Sequence, residues 1–507
     1  MRKLILVIGL LLGACAPVLE GGSNDNDRTD GGTQGEVLLT GAMVVSPDGK
    51  YALMQRNQTS VLVDIPGRTA VALAAQVDRW VFAKAAPAAV AVVGDDTVVS
   101  YALPAATERW RLPAGDKITM LRLSDDDATV AVASGAVLSL VDANTGARRA
   151  DVTTDGTATE LSFAAARGTA IATGTTRWPD HKPATQLLEV DLSTGATRET
   201  TIPNCAAPIA VMPDASRAFI SPTFCEEGGE YTPQAGWTNP DPVSVVDLSS
   251  EGPRFRVNLP GFGPVALDEK GTRAVAYLDT QRMIPSMFDD PAKVPPASGP
   301  RYHIMRIDPA TLAYDLTPIG DLLPRFAMTR DGKALLVDAT VERVRGEASL
   351  KVNIDSSGKL RVSFKLFGSI DTLFGVFDLE NATFTSITGP AASLDRFVQM
   401  GDCQRVFTLK NRSDGMGGDL YRIDVQARTT ANLSLSLRDI GLLPDGATLL
   451  LRERLPAAKV QVGSRIDWYR RERYWLSLDG IKATWTLDYQ DPTPFQSGPE
   501  CKSYHDC

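Results

Sequence analysis

Few side chains in this 507-residue sequence could do chemistry: three histidines, six cysteines, and two segments rich in aromatic and charged residues. His181 follows Trp178-Pro179-Asp180, His303 opens an apolar run, and His505 stands near the end. None falls at the short spacing that brings two imidazoles to one metal, and no Gly-x-Ser-x-Gly, His-Glu-x-x-His, P-loop or Cys-x-x-Cys occurs. Neither catalytic residues nor a metal or other cofactor is expected on these grounds. Recognition chemistry remains. Residues 226–242 carry Glu226, Glu227, Glu230 and Asp241 without a basic residue, around Tyr231 and Trp237. Residues 452–473 carry Arg452, Arg454, Lys459, Arg465, Arg470, Arg471 and Arg473 against Glu453, Asp467 and Glu472, with Trp468 and Tyr469 among them. Aromatic and arginine side chains supply much of the energy at binding surfaces. Tyr231, Trp237, Trp468, Tyr469, Arg470 and Arg471 are therefore the candidate ligand contacts. The competing expectation for each is an aromatic pinning a loop to the body, or a solvated charge.

Charge and composition narrow the partners. The formal net charge of −9 argues against a nucleic-acid binder, which needs a basic footprint. An apolar fraction of 43% is that of a globular chain, not a disordered one. Met1-Arg2-Lys3 followed by the apolar run Leu4 to Leu12 has the form of a secretory signal, and nine residues reach only about 13 Å as a helix, too short to span a bilayer. Leu12-Gly13-Ala14-Cys15 resembles the lipobox of bacterial lipoproteins. The resemblance implies a signal peptide over 1–14, cleavage before Cys15 and acyl chains on it, which would hold the protein to the membrane. Ala16 stands where that family places an Asp for inner-membrane retention, which favours the outer membrane. Residues 15–36 then form a tether. Its stretch from Gly21 to Glu36 lacks Val, Ile, Leu and aromatic residues, and some 16 such residues span roughly 22 Å on average.

In an exported chain the remaining cysteines can pair. Cys205 with Cys225 is the preferred bridge, and Cys501 with Cys507 is a possible second. Cys403 paired with a tail cysteine stays open, because connectivity is not readable from spacing.

The elements that must position these residues form one repeat. Its first copy runs from Ala42 through the turn Ser46-Pro47-Asp48-Gly49 to Val61-Leu62-Val63-Asp64. Pro fixes φ, Asp bonds the backbone and Gly takes φ > 0, which is hairpin-turn chemistry. Turn markers recur at Asp127, Gly168, Ala215, Gly271, Gly332, Cys403 and Gly446, and a strand-terminal Asp recurs at Asp142, Asp191, Asp247, Asp308, Asp378, Asp424 and Asp479. From each such Asp, beginning with Asp142, to the next marker the step is 22 to 26 residues, whereas from marker to Asp it ranges from 15 to 46. One segment of the unit is fixed and the other takes every insertion.

Four-stranded units repeated in this way predict an all-β fold, a single large β-propeller over 37–489 with a tail at 490–507. The Ser-Pro-Asp-Gly and strand-Asp-turn elements resemble the YVTN and WD-like propeller repeats. Counting the weak copy near Lys84 to Pro87 gives eight or nine blades, and Val37-Leu38-Leu39 could add an outer strand to the last one. With strands A to D numbered outward, the variable segment is the B–C connection, so all insertions crowd one face of the disc. In unit seven, Leu350 to Ile354 and Leu360 to Phe364 alternate about Ser356-Ser357-Gly358 as a projecting hairpin. The expected function is a monomeric binding or scaffold module for a protein or glycan ligand through the B–C loops. The alternative is an envelope hydrolase or lyase, resembling the lactonase-type propellers, in which His181 and His303 would meet over the channel mouth.

Overall fold

The computed structural model describes residues 43–490 apart from 56–59, 74–76, 178–182, 203–205, 223–242, 250, 282, 284–287, 289, 297, 322–323, 330, 355–359, 388–396, 412–417 and 463–464. Its strands form nine separate four-stranded antiparallel sheets, each built from four consecutive strands. The blades cover 43–72, 77–113, 118–153, 158–202, 206–259, 262–320, 324–386, 397–437 and 439–490. The count is therefore nine. The weak second copy is a full blade whose A–B turn, at 83–88, lacks a left-handed residue.

Blade formation follows from strand chemistry. The B and C strands are short apolar runs such as Ala88–Val93 and Thr129–Ser134, buried almost throughout because each sheet is covered on both faces by its neighbours. Small residues recur on the B strands, with Ala52, Ala91, Ala131, Ala172 and Ala276 fully buried, and let successive sheets approach closely. Larger side chains fill the wedges between blades. Phe219 and Val245 of blade five meet Phe262 and Met305 of blade six, for example. Each such side chain contributes about 1.5–3 kcal/mol on burial. The D strands, such as Arg148–Thr153 and Thr197–Ile202, are polar and largely exposed, which protects the outer edges from pairing.

Every turn marker adopts a left-handed conformation. Gly49, Asp127, Gly168, Ala215, Gly271, Gly332, Cys403 and Gly446 have φ between 54° and 70°. The strand-terminal Asp explains the other half of the repeat. Asp142 Oδ1 accepts from the backbone N–H groups of Asn144 and Thr145 at 3.0 and 2.9 Å, and Asp191 Oδ1 accepts likewise from Ser193 and Thr194 at 3.0 and 2.8 Å. Asp308, Asp378 and Asp479 do the same. In these five C–D turns the carboxylate satisfies donors the tight turn would otherwise strand.

The ring closes by packing. Met54, Val61 and Val63 of blade one meet Leu450 and Tyr474 of blade nine in one apolar cluster. On the A–B side, a Cβ placed on Gly49 would lie 2.9 Å from Pro444 Cδ, so the two turns touch. Val37 to Leu39 lies outside the described residues.

Candidate functional site

Antiparallel alternation puts the A–B and C–D turns on one face, and the B–C connections and D–A links on the other. On the first face several polar and charged side chains join successive blades. Trp110 Nε1 of blade two donates to Ala143 O of blade three at 2.9 Å. Lys84 and Ala85 of blade two donate their backbone N–H groups to the Asp127 carboxylate of blade three at 2.9 and 2.6 Å, beside a Lys84–Asp125 ion pair. Arg167 reaches from blade four to Ser249 O of blade five at 2.6 Å, while its Nε bonds the buried Glu189. Arg217 joins blade five to Pro309 O and Ala310 O of blade six, and Arg273 joins blade six to Gly332 O of blade seven at 2.7 Å. The inner wall is stitched in the same manner: on the A strands, Arg79 donates to Ile118 O and Arg122 to Leu161 O of the following blade. This face is a clamp.

The opposite face carries the insertions, and in blades seven and nine these are not loops. The B and C strands of blade seven run over Ala334–Ile354 and Leu360–Asp378, continuing one ladder far beyond the A strand. The sequence-predicted hairpin is present, with Leu350 opposite Phe364 and Ile354 opposite Leu360. Blade nine does likewise with Leu449–Val462 and Arg465–Ser477, so residues 452–473, expected as a loop, are mostly strand. Alternation along the strand separates the candidate contacts: Trp468 and Arg470 share a face with Tyr474, which packs toward blade one, and Tyr469 and Arg471 share one with Trp475, which packs toward blade eight. The register thus divides the four between the two faces of the strand. Tyr469 and Arg471 are each partly buried.

Arg452 and Glu472, expected as exposed loop charges, are buried in blade nine. Arg452 Nη2 lies 2.7 Å from Glu472 Oε1, and Tyr474 Oη donates to Glu472 Oε2 at 2.5 Å. Asp439, 2% exposed, stands opposite Arg452 in the ladder. Burial alone would lower the Arg452 pKa, but the Glu472 carboxylate more than offsets it and the guanidinium is held firmly charged. This polar knot closes the seam beside blade one. Its signal in the sequence was Leu449-Leu450-Leu451 running straight into Arg452, an apolar strand that has no reason to end there.

Blade six builds its insertion against the disc. Arg301 forks onto Asp279 with Nε and Nη2 at 2.9 and 2.8 Å, and Asp290 caps a short 3-10 turn over Pro291–Lys293. Phe288 sinks into the core between blades five and six, and Lys293 Nζ stands 4.4 Å over the Tyr314 ring. His303, the second residue of the C strand Tyr302–Ile307, is 6% exposed opposite Leu278. It lies two strands out from the channel, not at its mouth. Its Nδ1 has no hydrogen-bond partner among the described residues, and burial pushes the imidazole pKa down, which disfavours the protonated ring.

Cys15, His181, Cys205, Cys225, Tyr231, Trp237, Cys501, His505 and Cys507 lie outside the described residues. Among the described residues no group of three or more His, Cys, Asp or Glu side chains could hold a metal ion, and no helix is long and apolar enough to cross a membrane.

No family model matches the chain, and no curated protein does. Solved structures with a similar course include dihydro-heme d1 dehydrogenase NirN in complex with DHE, at 12% identity over 90% of this chain and 77% of that one, TM-score 0.49. Hydrazine synthase of Kuenenia stuttgartiensis is similar at 14% identity over 65% of this chain and 91% of that one, TM-score 0.38. The β-propeller domain of Myceliophteria thermophila Cps50 (Swd1) is similar at 9% identity over 61% of this chain and 95% of that one, TM-score 0.36. Likenesses at these levels carry no functional assignment.

Proposed function

We propose that this protein is a lipid-anchored propeller of the bacterial cell envelope, with the outer membrane favoured, that works as a monomeric binding or scaffold module. The ligand is a protein or glycan, taken on the face that carries the B–C segments. One observation carries the reading: the A–B and C–D face is held to short turns that hydrogen-bond from blade to blade, while the long strand extensions of blades seven and nine emerge from the other face. A rigid disc with one decorated side is the arrangement in which loop variation serves recognition. Buried His303 gives the hydrolase or lyase alternative no support. Anchoring rests on Met1 to Cys15 and on their likeness to the lipobox.

Two measurements test the reading. Growth with an alkyne fatty acid should label the protein through Cys15, and Cys15→Ser should abolish the label; retained label would refute the anchor. Isolated envelope fragments serve as the binding probe. Trp237→Ala and Trp468→Ala should each weaken retention about thirtyfold, the size of a hot spot worth about 2 kcal/mol. Unchanged retention in both would remove these residues from the binding surface.

A further inference from the structure

We infer that the blade-seven ribbon is a membrane-docking element that lays an apolar face on an anionic bilayer surface. The A strand pairs with the B strand only as far as Ala339, and the D strand pairs with the C strand only from Gly375 onward. Between them, residues 340–354 and 360–374 continue as a two-stranded ribbon, with no third strand paired to it among the described residues. At 3.3 Å per residue this ribbon is about 45 Å long. A lone two-stranded ribbon is at best marginally stable in water, so one this long calls for a surface to lie on.

The register sorts the distal part of the ribbon into two unlike faces. Leu350–Phe364, Val352–Val362 and Ile354–Leu360 are paired positions on one face, all apolar. The intervening pairs Ser349–Lys365, Lys351–Ser363 and Asn353–Arg361 fall on the other, with three cationic residues and no acidic one. An apolar face backed by Lys and Arg is the composition of segments that lie in a membrane interface, and anionic lipid attracts such cations across about a Debye length, 8–10 Å. A ribbon is one sheet thick, so its basic face stays within that reach.

Charge and topology favour a bilayer over a second copy of the chain. Two copies stacked apolar face to apolar face would leave both cationic faces without a counter-charge, whereas acidic headgroups complement them. The A strand of blade one also begins at Met43 on the B–C face, the face to which the blade-seven ribbon belongs. That orientation draws on the anchored reading above; ribbon binding itself needs no acyl chain. With both contacts the decorated face is turned toward the membrane, and two weak attachments together give stable residence.

The test uses a chain begun at Val37, which keeps all nine sheets and lacks Cys15, so its outcome is independent of acylation. It should float with vesicles of equal parts phosphatidylglycerol and phosphatidylethanolamine, and at least tenfold less with phosphatidylcholine vesicles. Val352→Asp with Val362→Asp should cut flotation at least tenfold with an unchanged thermal melt. Lys351→Glu with Arg361→Glu and Lys365→Glu, which keeps the apolar face, should abolish the preference for anionic lipid. Failure to float with either vesicle would overturn the proposal, as would flotation unaffected by both variants. A dimer in solution that Val352→Asp with Val362→Asp dissolves, without vesicle binding, would overturn it in favour of self-association.

Discussion

Single carboxylates and one imidazole contribute to the pH response of the fold. The Arg149 guanidinium holds Asp142 at a pKa of about 2, and the Ser193 hydroxyl with the Thr194 N–H holds Asp191 at about 2, both below the ordinary 3.8. A depressed carboxyl pKa stabilises the fold fully above the unfolded value and loses that contribution as pH falls from about 3.8 toward 2. The melting temperature should therefore fall across that window, and less steeply in Asp142→Asn with Asp191→Asn; a parallel fall would remove these caps from the acid response. His303 acts in the same direction at higher pH. Its pKa is lowered by burial, so its neutral form favours folding above 6.5 and protonation opposes folding below it. His303→Leu should flatten the stability curve between pH 7 and 5, as read by thermal melts. Both roles were only half legible in the sequence. The recurring Asp marked the C–D turns, but nothing in the local sequence showed that His303 would be buried beside Leu278, which comes from a different strand and packs in the cluster between blades five and six.

At the scale of elements, turns and ribbons respond differently to change. Gly49→Ala places a methyl against Pro444 and holds Ala at φ 70°, where an L residue costs about 1–2 kcal/mol before any clash. Gly94→Ala, at φ 63° with open space around it, pays the conformational cost alone. Denaturant titration should find Gly49→Ala the more destabilising, and the reverse order would mean that the seam between blades one and nine is loose. Glu472→Ala leaves the Arg452 charge buried without its partner and should cost about 3–5 kcal/mol. Replacing residues 343–369 by Asn-Gly should cost little, since the three-strand contacts end at Ala339 and Gly375 and loop length enters closure entropy only at about 0.6 kcal/mol per doubling. The hairpin of blade seven was legible from its alternation about Ser356 to Gly358. The ribbon of blade nine was not: its clustered charges read as a solvated loop, because period-two alternation is hidden when both faces carry arginine.

The whole molecule is a nine-bladed ring whose two faces divide the labour. The constant step of 22 to 26 residues from strand-terminal Asp to turn marker spans the D strand, the link and the next A strand, the parts that join one blade to the next. That constancy made the fold readable, and the variable step identified the decorated side. The blade count needed three dimensions, because blade two lacks the left-handed marker while keeping all four strands. The central claim is that recognition occupies the B–C face and the clamp face serves only closure. Photo-crosslinking in intact cells tests it most directly, with a benzophenone amino acid at Val460, Trp468 or Tyr469 on one face and at Lys50, Lys270 or Leu478 on the other. The account predicts adducts from the first set and none from the second. Adducts confined to Lys50, Lys270 and Leu478 would contradict it.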